Sequence, residues 1–144
     1  MLKKCILLGL AALMLAGCGQ NAGKQSELLI GLSMADLKEE RWQRDRDMFV
    51  ARAESLGAQV IVQDANGDPN TQIQQCENML VRGVKLLVVI PKNADAAAPI
   101  VEKAHKKQVK VLSYDRVIGN NTTIDVDTAP SPDVSFRQLR VWLE

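Results

Sequence analysis

Between residues 28 and 116 the chain alternates short apolar runs with longer segments whose apolar residues recur at helical spacing. Leu28-Leu29-Ile30-Gly31-Leu32-Ser33-Met34 is bounded by polar stretches and suits a strand buried on both faces. Over residues 39–56, Trp42, Phe49, Ala53 and Leu56 recur among arginines and aspartates, and Gly57 follows as a stop, which predicts an amphipathic helix. A second strand over residues 58–63, a turn-rich loop over 64–69 and a second helix over 70–82 closed by Gly83 repeat the unit. The third and most apolar strand spans 84–90 and ends at Pro91. A third helix over 95–107 and a fourth strand over 109–114 follow, the latter ending at Asp115-Arg116.

Strands separated by helices of this length require right-handed parallel crossovers, so the expected fold is α/β, a doubly wound parallel sheet with helices on both faces. In such sheets ligands collect beyond the carboxyl ends of the strands. Here those ends are residues 33–42, 64–66, 91–93 and 115–116, and any site chemistry is expected there.

The first segment is set apart from this body. Lys3 and Lys4 precede an apolar run over residues 5–15 that is too short to span a bilayer as a mature helix, the pattern of an export signal. It ends Leu15-Ala16-Gly17-Cys18, which resembles the lipobox of bacterial lipoproteins and implies acylation of Cys18 as the new N-terminus. An ordinary signal peptide cut after a small residue would instead predict soluble export. The expected organisation is a lipoprotein signal over 1–17, a polar, glycine-containing tether over 18–27 and a folded lobe from 28 onward.

With 144 residues, 47% of them apolar and 24% charged, the chain fits one folded domain and lacks the composition of a disordered one. A formal net charge of +1 and 3% aromatic residues make nucleic acid a poor partner. Loss of residues 1–17 removes two lysines and no acid, shifting the charge to −1. Of the three cysteines, Cys5 leaves with the signal and Cys18 would carry lipid, so Cys76 has no partner and no disulfide scaffold exists. Cys76 itself lies in a helical pattern and reads as a small buried residue.

Neither a dinucleotide fingerprint nor a phosphate-binding glycine loop occurs, and the single histidine, His105, sits among Lys103, Lys106 and Lys107 near a helix C-terminus. No catalytic residue, metal or cofactor is expected. What the strand ends offer is polar and planar. Asp36, Asp64 and Asp115 face the same rim as Arg41 and Arg116, and ionised carboxylates beside arginine suit the holding of hydroxyls better than proton donation. A neutral sugar asks for coplanar donors and acceptors and for an aromatic face against its C–H surface. Arg41, Trp42, Asp115 and Arg116 supply these groups. Taken singly, Asp115 and Arg116 are equally compatible with a strand-end salt bridge, and Trp42 with a core position at a helix start.

The segments Ile30-Gly31-Leu32, Glu40-Arg41-Trp42-Gln43-Arg44-Asp45-Arg46-Asp47, Ala65-Asn66-Gly67, Glu77-Asn78-Met79, Arg82-Gly83-Val84 and Tyr114-Asp115-Arg116 carry a resemblance to the D-xylose-binding proteins of bacterial ABC sugar importers. It runs from about residue 28 to 118. It implies a single Rossmann-like lobe of a type I periplasmic binding protein, with Arg41, Asp115 and Arg116 on sugar hydroxyls and Trp42 packed on the ring. The implied function is capture of a monosaccharide, D-xylose first and a ribose- or galactose-type sugar second, and its delivery to an ABC permease in the inner membrane by an exported, membrane-anchored lipoprotein. A small exported α/β enzyme is the alternative of a different class, and it lacks a visible nucleophile or cofactor loop. A sugar-responsive repressor would need a DNA-reading helix-turn-helix where this chain has an export signal.

After Ile118 the chain departs from that family. Its codons for residues 136–142, read one base later, permit Phe-Asp-Asn and then a glycine at the family's spacing. The expectation is therefore a truncated copy with impaired binding, whose lobe ends near residue 135 and whose residues 136–144 are out of frame.

Overall fold

A computed structural model of the chain describes residues 28–118 and 127–129. The expectations for residues 1–27, Cys18 included, and for 136–144 lie outside the described residues. Among the described residues there are five strands and three helices: β1 (Leu28–Met34), α1 (Glu40–Ser55), β2 (Ala58–Asp64), α2 (Pro69–Val81), β3 (Leu86–Val89), α3 (Ala98–Lys106), β4 (Lys110–Tyr114) and β5 (Asp127–Ala129). All pairings are parallel, in the order β2-β1-β3-β4-β5. The doubly wound α/β expectation holds, and β5, which the pattern did not predict, adds three residues beside β4.

Two apolar layers hold the sheet. On one side, Trp42, Phe49 and Ala53 of α1 pack with Ile30, Leu32, Met34, Leu86, Val88 and Leu112. On the other, Cys76, Met79 and Leu80 of α2 and Ile100, Val101 and Ala104 of α3 pack with Ile61, Leu87, Val89 and Val111. Side chains alternate along β3, Leu86 and Val88 facing α1's layer and Leu87 and Val89 the other, so a strand apolar throughout is what this position demands. Each such side chain contributes about 1.5–3 kcal/mol on burial. Gly31 faces the α2 layer so closely that an added Cβ would lie 2.9 Å from both Met79 Sδ and Leu87 Cδ1.

The element ends explain the small differences from the predicted boundaries. Asp68 caps α2, its Oδ1 accepting from Asn70 N at 2.7 Å and Thr71 N at 3.2 Å, and Pro69 takes the first helical position where its missing N–H costs nothing. The helix therefore opens at Pro69. Helix α3 starts three residues later than expected because Asn93 Oδ1 accepts from Ala96 N and its carbonyl from Ala97 N, holding residues 93–97 as a turn. Strand β3 is shorter than expected, yet Lys85 N and Ile90 N still donate to Leu29 O and Ser33 O of β1.

The strand order places a switch point between β1 and β3: the β1–α1–β2 crossover runs to one side and the later crossovers to the other. The loops leaving β1 and β3 thus diverge over the carboxyl edge of the sheet, the place where α/β folds of this kind hold ligands.

Candidate ligand site at the carboxyl edge

Three of the four predicted contact residues are brought together by charge. Arg41, in the first turn of α1, donates from Nη2 to Asp115 Oδ1 at 2.7 Å across 74 residues of sequence. Arg116 Nε stands 3.7 Å from the other oxygen, Asp115 Oδ2, and its Nη1 donates to Pro91 O at the exit of β3 at 3.4 Å. Asp115 is therefore flanked by two guanidinium groups. The hydrogen bond to Asp115 raises the Arg41 pKa above its already high ordinary value, so this cation is fixed. Arg41 remains 52% exposed and Asp115 22% exposed, so both are open to a ligand.

Backbone geometry delivers Asp115 to this position. Its φ is 66°, in the left-handed region that aspartate tolerates better than most residues. Arg116 N donates back to Tyr114 O at 2.8 Å, which closes a three-residue turn around Asp115, and the Ser113 hydroxyl donates to Arg116 O. Backbone strain of this kind gathers at ligand sites.

Trp42 is placed differently from its neighbour. Its side chain is 6% exposed and belongs to α1's core layer, meeting Tyr114 edge to face with ring centroids 6.4 Å apart. The Arg41 guanidinium carbon lies 4.5 Å from the Trp42 ring centroid, so the cation lies over one ring face. Trp42 thus acts on the rim through Arg41.

Beneath this pair lies a contact that the sequence reading missed. The Tyr114 hydroxyl donates to Asp45 Oδ2 at 2.7 Å, and the same oxygen is 3.7 Å from Arg41 Nε one helical turn earlier. Burial first, and then the bond to Asp45, push the Tyr114 phenol well above the ordinary tyrosine range, so it stays a donor. Leu32, Met34, Asp45, Arg46, Phe49, Val88, Ile90 and Tyr114 line a small cleft at this point.

The other predicted carboxylates take separate partners. Asp36 Oδ2 is 3.6 Å from Lys92 Nζ, and Asp64 Oδ1 accepts from Asn66 N at 2.8 Å in a local turn. Lys92 is itself set by Gln72, a buried side chain of α2 that donates to Ser33 Oγ and Ile90 O and accepts from Lys92 N. The signal for Gln72 was a polar residue on the apolar stripe of α2, four residues before Cys76. His105 is exposed in the last turn of α3, and Cys76 is fully buried, as the pattern indicated. Among the described residues no group of three His, Cys, Asp or Glu side chains is placed to hold a metal ion, and no helix is long and apolar enough to cross a membrane.

This arrangement has relatives. The periplasmic binding protein domain pattern matches residues 30–135. The D-xylose-binding periplasmic protein of Escherichia coli strain K12 is 51% identical over 104 residues, which cover 72% of this chain and 31% of that protein. The D-xylose-binding periplasmic protein of Haemophilus influenzae is 49% identical over 105 residues, 73% of this chain and 31% of its own length. Among solved structures, the Caulobacter myo-inositol binding protein bound to myo-inositol is 28% identical with a TM-score of 0.66, over 70% of this chain and 34% of that one. The chain therefore spans about a third of the length of the relatives it matches.

Proposed function

This chain belongs to the periplasmic binding protein family, and from that membership we propose that it is the sugar-capturing lobe of an ABC importer component whose ligand is D-xylose. The observation that carries the reading is the meeting of Arg41, Asp115 and Arg116 at one sheet edge, within a stretch of 104–105 residues about half identical to two D-xylose-binding proteins. Vicinal sugar hydroxyls donate to the Asp115 carboxylate and accept from the two guanidinium groups, so no rim charge is left unpaired when the ligand enters. Trp42, buried in the α1 layer, holds Arg41 from below, so its part in binding is to position that guanidinium. Among the described residues the rim places no nucleophile beside a base, which supports binding without turnover.

One lobe supplies about half of the contacts of a two-lobe clamp and cannot exclude water from its ligand. Two missing charged hydrogen bonds cost about 3–6 kcal/mol, which moves micromolar binding to the millimolar range or beyond. Acylation at Cys18 would tether the lobe to a membrane beside the permease that receives the sugar, and stable anchoring takes more than one acyl chain. A fatty-acid probe should label the chain in cells and fail to label Cys18→Ala. Calorimetry comparing D-xylose with ribose and galactose tests the ligand assignment, D-xylose being the tightest of the three.

A further inference from the structure

Lys92 leaves β3 at the switch point of the sheet and crosses it. Its Nζ stands 3.6 Å from Asp36 Oδ2, beyond the end of β1. The same side chain runs beside Gly67 in the β2–α2 loop, where an added Cβ would lie 3.8 Å from Lys92 Nζ and 3.9 Å from its Cε. One side chain from the exit of β3 thus reaches the exits of β1 and β2. Its base is fixed from the core: Lys92 N donates to Gln72 Oε1 at 2.9 Å, and Gln72, 2% exposed, donates in turn to Ile90 O and Ser33 Oγ. The loops it crosses are tied as well, Gly67 N donating to Ala35 O at 2.8 Å and Ala65 N to Met34 O at 3.0 Å.

The ammonium at the far end is held less tightly than the base. At 3.6 Å from Asp36 Oδ2 it is kept in place by charge, beyond hydrogen-bond length, and an exposed pair of that separation adds little to stability. Arg41, by contrast, commits Nη2 to Asp115 at 2.7 Å. Lys92 therefore brings to the rim an ammonium that Asp36 orients and no short bond to Asp36 occupies. Asp36 is itself placed for this, its Oδ1 accepting from Lys38 N at 3.4 Å while Oδ2 faces Lys92. The couple of Lys92 and Asp36 repeats the chemistry of Arg116 and Asp115, a cation that donates to a hydroxyl beside a carboxylate that accepts from one. The two couples flank the exit of β3. Their carboxylates follow β1 and β4, two strand spacings or about 10 Å apart, and Arg116 Nη1 donates at 3.4 Å to the carbonyl of Pro91, the residue before Lys92.

We infer that Lys92 is a specificity-determining residue of this site: its ammonium, oriented by Asp36, donates to a ring hydroxyl on the side of the β3 exit away from Asp115, and so sets the run of contiguous hydroxyls that a sugar must carry. The inference rests on the sugar-capture reading of the rim and names the donor that reads the second end of the ring. A sugar without that hydroxyl leaves the ammonium unbonded beneath it. Loss of one charged hydrogen bond of this kind weakens binding by about tenfold to a hundredfold.

The test pairs a Lys92 variant with sugars that lack single hydroxyls. The isotope-labelled chain is titrated with D-xylose and with its three ring-hydroxyl monodeoxy forms, and affinities are read from the amide shifts of Arg41 and Asp115. Lys92→Met keeps the stem beside Gly67, removes the charge, and should bind D-xylose about tenfold to a hundredfold more weakly. In wild type one deoxy sugar should be weakened by a similar factor, and Lys92→Met should bind that sugar and D-xylose alike. A reading that needs no variant comes from the Lys92 ε-methylene of the wild type, which should shift with D-xylose and stay still with that same deoxy sugar. Unchanged affinity in Lys92→Met, or an ε-methylene that responds to all of these sugars alike, overturns the inference. So does a Lys92→Met chain in which every deoxy sugar loses the same factor relative to D-xylose as in wild type, the mark of an ion pair that only shapes the loop. Absence of any saturable shift at Arg41 and Asp115 in wild type is a different failure: it defeats the sugar-capture reading itself, and this inference with it.

Discussion

The Tyr114 hydroxyl donates to Asp45 at 2.7 Å, joining the last residue of β4 to the second turn of α1 across 69 residues of sequence. The bond sits directly under Arg41, whose Nε lies 3.7 Å from the same carboxylate oxygen. It connects the core packing of the α1 layer to the rim, because Tyr114 also meets Trp42 edge on and Asp115 follows it in the chain.

Removing that hydroxyl should loosen both. Tyr114→Phe leaves Asp45, 13% exposed, without its neutral donor. Urea unfolding should show a loss of about 1.5–3 kcal/mol, the scale of hydrogen bonds to charged groups. An unchanged midpoint would mean that Arg41 alone satisfies Asp45.

The buried amide of Gln72 should matter more. Gln72→Leu takes a donor from Ile90 O, an acceptor from the partly buried Lys92 N and one of the partners of Ser33 Oγ, and an unsatisfied buried group costs about 1–3 kcal/mol. The expected loss of stability is about 2–4 kcal/mol, with faster amide exchange at Lys92. Exchange at Lys92 equal to wild type would show that water replaces the amide fully.

At Gly31 the sheet and α2 leave no room. Gly31→Ala should destabilise by about 1–3 kcal/mol through overpacking against Met79 and Leu87. Pairing it with Met79→Ala should give a loss smaller than the sum of the two single changes. Strict additivity in this cycle would place the conflict elsewhere.

Stability should fall at alkaline pH through Cys76, whose thiol is pushed up to about 11, chiefly by burial. Because the folded value lies above the unfolded one, this contribution is whole below about pH 9 and is lost as pH rises through about 11, roughly 2–3 kcal/mol at 1.4 kcal/mol per unit. Unfolding of wild type and Cys76→Ala measured from about pH 8 to pH 11 should show the steeper fall in wild type. Parallel curves would refute it.

The alternation of strand and helix was legible because each apolar run is bounded by glycine, proline or a polar turn, and because Trp42, Phe49 and Ala53 keep helical spacing. Strand order was not, since periodicity says nothing about pairing partners, and β5 is too short and polar to stand out. At the rim, Arg41, Asp115 and Arg116 were legible as residue types at strand and helix ends, and the structure joins them. Trp42 was ambiguous for a physical reason: its indole presents the same apolar body to a core or to a sugar, and here the core and Arg41 take its surface. Gln72, Lys92 and Asp45 escaped because their roles depend on partners from other elements, which local spacing does not reveal.

The central claim is that the edge formed by Arg41, Asp115 and Arg116 binds D-xylose. The measurement that tests it most directly is a titration of the isotope-labelled chain with D-xylose followed by amide and indole NMR shifts. Saturable shifts, largest at Arg41, Asp115, Arg116 and the Trp42 indole that Arg41 covers and absent at Lys85 and Lys107, are the predicted result. In Arg41→Ala and Asp115→Ala, each losing about 1.5–3 kcal/mol of binding, those shifts should no longer saturate. Shifts confined to another part of the lobe, or the same titration curve in both variants, would contradict the account.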